Sequence, residues 1–327
     1  MENEIQNQKK IWGIDSRTKY FVYVLVGLSV ISIALFVLLI IGKNSLNKKE
    51  VVIAKEATNQ FENLNLQAKG VVVYDVINNR EIFSKNGDEP LPLASLTKVL
   101  TAIITSEKLR DDQKVTITAE YLAPEGDSKL IVGDTWQVSD LRDFTLLTSS
   151  NDGAFALATI SEIKNNQNQK NIQISGDDLR IQFVKEMNET AQKIGLSNSR
   201  FFNEHGLDKN ADRGGAYGTA SDMSLLFKYA LQNYPEILEA TRYENLKFSS
   251  EAEVYSASNT NTFVTKIPNL IASKTGFTDL AGGNLVIAFN ADINRPIIIS
   301  VLGSSEEGRF YDVLQLVDAT IKELPNL

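Results

Sequence analysis

The chain has 327 residues, 43% apolar and 23% charged, enough for one large domain or two small ones around a real core. Its net charge of -8 argues against the basic face of a nucleic-acid binder, so no nucleic-acid partner is expected. With no cysteine and a single histidine, His205, the chain can form neither a disulfide framework, a thiolate metal site nor a multi-imidazole site.

Residues 20–41 form a run of 22 residues without a charged side chain. As a helix rising about 1.5 Å per residue, such a run crosses the roughly 30 Å hydrocarbon core of a bilayer. A cleaved signal peptide would have an apolar region of about 7–15 residues and a small-x-small cleavage site. Ile40, Ile41, Gly42, Lys43 and Asn44 offer no such site, so the run is expected to be one uncleaved transmembrane helix in the lipid bilayer. Lys9, Lys10, Arg17 and Lys19 before it, against Lys43, Lys48 and Lys49 after it, leave orientation undecided by charge. Residues 1–19 then make a short tail, cytoplasmic because the chemistry read below needs the bulk of the chain outside the cell, 42–66 a polar stem, and 67–327 the folded domain.

That domain opens on a β-branched run at 70–76, an Asn78-Asn79 turn and Glu81-Ile82-Phe83, which predict a hairpin. Pro90 and Pro92 interrupt the chain, and helical spacing of apolar residues follows from Ser95 to about Lys108. A short strand is expected near 115–119, then two helical pieces over 139–163 broken at Ser149-Ser150-Asn151-Asp152-Gly153. Residues 164–176, mostly Asn, Gln and Lys, read as an exposed insertion, and 177–195 and 219–240 as amphipathic helices. Strands over 270–278, 283–290 and 296–303 and a helix over 308–323 close the chain. A hairpin first, helices in the middle, then a meander and a helix predict an α+β (α/β/α) domain whose sheet joins both ends of the chain.

Three short motifs carry chemistry. In Ser95-Leu96-Thr97-Lys98, at a predicted helix start, positions i and i+3 share one face. A serine hydroxyl is a weak nucleophile until a base takes its proton, and a lysine serves only if burial or nearby cations depress its pKa. Ser149 and Asn151 sit in a break between helices, where Ser149 can relay a proton and Asn151 can hydrogen-bond both a lysine and a substrate amide. Lys274-Thr275-Gly276 lies within a predicted strand, where a cation beside a hydroxyl suits a carboxylate and glycine admits a close backbone. Each alone reads as an N-cap, a helix break or an ordinary strand; the set, in order, is a serine-acylation signature.

The chain from about residue 68 onward resembles the D-alanyl-D-alanine carboxypeptidase family of penicillin-binding proteins. The resemblance rests on Pro92-Leu93-Ala94-Ser95-Leu96-Thr97-Lys98 with Thr101-Ala102, on Ser149-Ser150-Asn151-Asp152, and on Phe202-Asn203-Glu204-His205-Gly206-Leu207. It continues through Thr219-Ala220-Ser221-Asp222-Met223, Asn259-Thr260-Asn261, Lys274-Thr275-Gly276-Phe277-Thr278 and Ala281-Gly282-Gly283. It implies the β-lactamase and penicillin-binding-protein transpeptidase-like fold, with an antiparallel sheet and a helical subdomain, placed outside the cytoplasm of a bacterial cell. It also implies a peptidoglycan stem peptide ending in D-Ala-D-Ala as substrate, β-lactam antibiotics as acylating inhibitors, and neither metal nor cofactor. By position, Ser95 would attack, Lys98 act as base, and Ser149 pass the proton to the departing D-alanine. Asn151, Lys274, Thr275 and Gly276 would bind substrate, and the backbone N–H groups of Ser95 and Phe277 would hold the oxyanion.

Ser150, Gly153 and Glu204 depart from the family's usual glycine, alanine and proline, and none removes a reacting group. A Ser-His-Asp reading of His205 with Asp152 or Asp222 lacks a G-x-S-x-G elbow, so His205 is expected to fix a loop. A β-lactamase of the same fold would need an E-x-x-L-N loop between Asn151 and Lys274, and none is present. A D,D-endopeptidase uses the same residues. A non-catalytic wall-binding or β-lactam-sensing protein fits poorly with an intact Ser95, Lys98, Ser149 and Lys274.

Overall fold

A computed structural model of the chain describes residues 16–46, 59–122, 126, 129–166 and 176–326. The chain divides into two units, one up to Thr58 and one from Asn59 to Leu327. In the first, helix α1 (Ser16–Leu46) runs unbroken through the apolar segment, with Tyr20, Phe21, Leu25, Val30 and Leu35 all exposed. Among the described residues no helix is long and apolar enough to cross a membrane, so the span expected over 20–41 is not shown. The side chains of 36–46 fall outside those residues, as do 47–58 of the expected stem and 1–15 of the expected tail.

Packing in the second unit starts earlier than position 67. Phe61 is buried and stacks on Phe83 with ring centroids 4.9 Å apart, and the N–H groups of Gln67 and Ala68 donate to the Asp312 carboxylate. Residues 59–66 of the expected stem therefore belong to the folded body.

The hairpin is β1 (Gly70–Asp75) and β2 (Arg80–Lys85), followed by β3 (Leu91–Pro92) and α2 (Thr97–Lys108). Next come β4 (Lys114–Thr116), β5 (Thr135–Gln137), α3 (Val138–Thr148), α4 (Asn151–Asn166) and α5 (Gly176–Ile194). The chain continues through β6 (Arg200–Phe201), β7 (Ala216–Gly218), α6 (Ala220–Asn233), α7 (Glu236–Glu239), β8 (Asn245–Ser249) and β9 (Val254–Ser258). It ends in β10 (Leu270–Thr278), β11 (Gly282–Asp292), β12 (Arg295–Ser304) and α8 (Gly308–Glu323).

The main sheet has the antiparallel order β10-β11-β12-β1-β2, so the last three strands dock on the first hairpin. Side chains alternate across it. Val71, Val73, Ile287 and Ile299 pack with Phe310, Val313 and Leu316 of α8 on one face. Val72, Val286 and Ile298 pack with Val99, Ile103 and Phe227 of α2 and α6 on the other. Both faces are buried, which is why the first strand reads as a continuous β-branched run. The expected α/β/α layering and the expected union of both chain ends in one sheet follow from these contacts.

A third cluster, around Trp136, Phe144, Phe155, Phe248 and Tyr255, builds a helical subdomain from α3, α4 and the pairs β4–β5 and β8–β9. The hairpin β8–β9 has no counterpart in the sequence reading. Its strands are five residues each, and Phe248, Tyr255 and Ala257 are the only side chains they bury. The helix expected over 219–240 stops at Asn233, before Pro235, and resumes as α7. Of the expected insertion, residues 167–175 lie outside the described residues.

Candidate active site

Ser95 lies in a 3₁₀ turn, Ala94–Leu96, that leads into α2. Ala94 just before it has φ +48°, a left-handed conformation that costs a non-glycine residue about 1–2 kcal/mol. Neighbouring segments hold that turn. The Asn284 side chain donates to the carbonyls of Pro92 and Leu93 and accepts from Gly303 N–H, tying the turn to β11 and β12. Gly206, at φ +88°, lies against the other side; a Cβ there would sit 1.9 Å from the Ala94 carbonyl oxygen.

One helical turn on, Lys98 is buried, and its Nζ donates at 2.7 Å to each of Ser95 Oγ, Asn151 Oδ1 and the His205 carbonyl. Burial, then the Lys274 cation, holds its pKa well below the ordinary lysine value, while the Glu204 carboxylate opposes them. A lysine so placed can be neutral, and so can accept the Ser95 proton.

Ser149 caps α3 in the left-handed conformation, φ +62°, and this reversal turns its hydroxyl into the cleft. Lys274 Nζ donates to Ser149 Oγ at 2.9 Å and to the Thr275 carbonyl at 2.9 Å. Burial, then the Arg309 guanidinium, brings its pKa down to about 7. The Thr275 hydroxyl is hydrogen-bonded to Thr260, 2.5 Å away.

The strand β10 carries Lys274 along the free edge of the sheet. Gly276 is required there, because a Cβ would come within 2.9 Å of the Leu93 carbonyl and 3.1 Å of Ser95 N. Ser273 N–H donates away from β11, to Thr241 Oγ1. Backbone groups two residues apart in a strand point the same way, so the N–H of Thr275 and of Phe277 also face the edge. Beside Ser149 and Asn151 opens a cavity of about 380 Å³, also lined by Lys129, Phe144, Tyr255 and Ser256.

All eight side chains or peptide units singled out from the sequence therefore lie on one cleft: Ser95, Lys98, Ser149, Asn151, Lys274, Thr275, Gly276 and Phe277. Among the described residues no group of three His, Asp or Glu could hold a metal. His205 does not join a Ser-His-Asp arrangement. Its Nδ1 accepts from Leu207 N–H at 3.0 Å, and burial, with Lys98 and Arg180 nearby, lowers its pKa to about 3. The sequence reading passed over Asn284 and Arg309, whose Nη1 donates to the Gly276 carbonyl at 2.9 Å, because neither lies in a motif of local spacing.

Residues 54–306 match the family model described as D-alanyl-D-alanine carboxypeptidase. The chain belongs to that family. It is 27% identical over 288 residues to the D-alanyl-D-alanine carboxypeptidase DacF of Bacillus subtilis, covering 86% of this chain and 69% of that relative. To DacC of Escherichia coli it is 26% identical, covering 77% of this chain and 61% of the relative's length. A D-alanyl-D-alanine endopeptidase of Pseudomonas aeruginosa is 30% identical over 72% of this chain and 71% of its own. Among solved structures, penicillin-binding protein D2 of Listeria monocytogenes in its ampicillin-bound form superposes with a TM-score of 0.62 at 28% identity, covering 79% of this chain and 98% of that one. The D-alanyl-D-alanine carboxypeptidase of Mycobacterium tuberculosis shares the fold, with a TM-score of 0.67 at 24% identity over 78% of this chain and 91% of that one.

Proposed function

We propose that this family member is a serine-type D-alanyl-D-alanine carboxypeptidase that removes the terminal D-alanine of peptidoglycan stem peptides through an acyl-enzyme on Ser95. The observation that carries the reading is the buried Lys98 amine, 2.7 Å from the Ser95 hydroxyl and at the same distance from Asn151. Ser95 Oγ attacks the carbonyl carbon of the penultimate D-alanine as Lys98 takes its proton. The oxyanion forms against the N–H groups of Ser95 and Phe277, donors fixed before the reaction. Lys274 and Thr275 hold the terminal carboxylate, and Asn151 orients the amide. As the C–N bond breaks, a proton reaches the leaving nitrogen through Ser149. Water then attacks the ester as Lys98 takes a proton from it, and Lys98 passes that proton to Ser95 Oγ as the ester C–O bond breaks.

A β-lactam presents a strained amide and a carboxylate to the same groups, so it acylates Ser95 as well; the ampicillin-bound form of the similar Listeria protein supports this. The continuous helix α1 over the apolar run supports residues 20–41 as a single-pass anchor in the bacterial membrane. Residues 1–19 are then a cytoplasmic tail and 42–58 a tether, with the catalytic domain on the extracytoplasmic side.

The test is release of free D-alanine from a synthetic stem pentapeptide, measured on wild type and Ser95→Ala. Release by the wild type alone supports the reading. Cleavage of a cross-linked dimer with no release from the pentapeptide would replace it with an endopeptidase, which the 30% identity to the Pseudomonas endopeptidase also favours.

A further inference from the structure

Lys98 Nζ has three partners at 2.7 Å, and they are not equivalent. Asn151 Oδ1 and the His205 carbonyl can only accept, whereas the Ser95 hydroxyl can also donate. A neutral amine carries two hydrogens and one lone pair. With one hydrogen on each carbonyl oxygen, the lone pair is left facing Ser95, the one partner of the three with a proton to give. The Asn151 oxygen is carried by α4, but the His205 oxygen belongs to a loop, 203–207, that is neither helix nor strand. That loop is strapped in place. The Asn203 side chain accepts from Gly206 N–H at 2.6 Å and donates to the Leu207 carbonyl at 2.8 Å. Thr101, buried on α2, donates its hydroxyl to the Glu204 carbonyl at 2.6 Å. Thr145, Thr148 and Thr320 give their hydroxyls to the helix carbonyl four residues back, whereas Thr101 sends its hydroxyl across to the loop.

We propose that Thr101 is a positioning residue for the acylation base. By holding the Glu204 carbonyl it keeps the next carbonyl, that of His205, on one hydrogen of the Lys98 amine, so that the lone pair stays aimed at Ser95. Positions i and i+3 of a helix share a face, so α2 presents Lys98 and Thr101 to two consecutive carbonyls of the loop. One rigid element thus sets both contacts, and Thr101 reaches the reacting atoms only through the loop. Without its hydroxyl the His205 carbonyl can swing off the amine, and the lone pair is no longer fixed on Ser95. The loss falls on proton transfer, because Lys274, Thr275 and Phe277, which would bind the ligand, lie on β10.

The role of Thr101 rests on the Ser95 acyl-enzyme, and the test separates the two. Acylation of the full chain in detergent is followed over a range of penicillin concentrations, in wild type, Thr101→Val, Thr101→Ala and Thr101→Ser. This yields the dissociation constant of the first complex and the rate constant of acylation separately. The Val and Ala variants are expected to acylate about tenfold more slowly at an unchanged dissociation constant, the base being present but misaimed. Thr101→Ser keeps the donor and is expected to restore the wild-type rate constant. An unchanged rate constant in a folded Val or Ala variant, a weaker first complex that accounts for the slowing, or an equal loss in Thr101→Ser would overturn the role while leaving Ser95 intact. No wild-type adduct would instead overturn the reading beneath it. Should neither variant lacking the hydroxyl fold, a crystal structure of the wild type decides: the His205 carbonyl must lie within hydrogen-bond distance of Lys98 Nζ, and a carbonyl turned away contradicts the role.

Discussion

Lys98 and Lys274 are both buried amines, and their neighbours set them to different tasks. In the proposed reaction Lys98, in contact with Ser95, must lose its proton, whereas Lys274, in contact with Ser149, serves a carboxylate best while charged. With its pKa brought down from 10.5 to about 7, Lys274 loses charge as pH rises through neutrality. We therefore expect KM for a peptide with a free terminal carboxylate to rise above about pH 7, before any lysine of ordinary pKa titrates. Lys274→Arg, whose guanidinium stays charged, should flatten that rise. A wild-type KM flat from pH 6 to 9 would contradict this role for Lys274. At this scale the motifs were legible in the sequence, because each is a matter of three or four consecutive residues. The left-handed Ser149, the left-handed Ala94 and the carbonyl of His205 under Lys98 were not, since backbone conformation and long-range contacts leave no local pattern there.

The elements meet at Asn284. From β11 its amide holds two carbonyls of the turn before Ser95 and receives one N–H from β12, so one buried side chain joins the sheet to the nucleophile. Asn284→Leu keeps the volume but leaves Gly303 N–H and the Pro92 carbonyl without the hydrogen bonds that Asn284 gives them, while the Leu93 carbonyl keeps the one from Leu96 N–H. We expect a loss of about 2–4 kcal/mol in stability, at roughly 1–3 kcal/mol for each unsatisfied buried group with partial recovery, together with slower acylation of Ser95. Urea denaturation and stopped-flow acylation check the two; an unchanged midpoint and rate would show that the turn is held without it. The helices 177–195 and 308–323 were readable to within a residue at most ends because their apolar spacing is regular. The hairpin β8–β9, which lines the cleft beside Ser149, was not, because a five-residue strand with one or two buried side chains looks like any polar loop.

Across the whole molecule, the five-stranded sheet brings the first and last thirds of the folded body together, and the nucleophile helix is clamped between that sheet and the helical subdomain. The layering was legible because the first hairpin and the closing meander are β-rich while the middle is helical. The start of the folded body was not, since Phe61 and Leu66 are isolated apolar residues in a polar stretch and only tertiary packing marks them. On the proposed function, this assembly serves to acylate Ser95. The most direct measurement is the intact mass of the full chain, in detergent, followed over time after adding penicillin, with Ser95→Ala alongside. A persistent gain of one penicillin in the wild type and none in Ser95→Ala is the predicted result. No gain, or the same gain in both proteins, would contradict it.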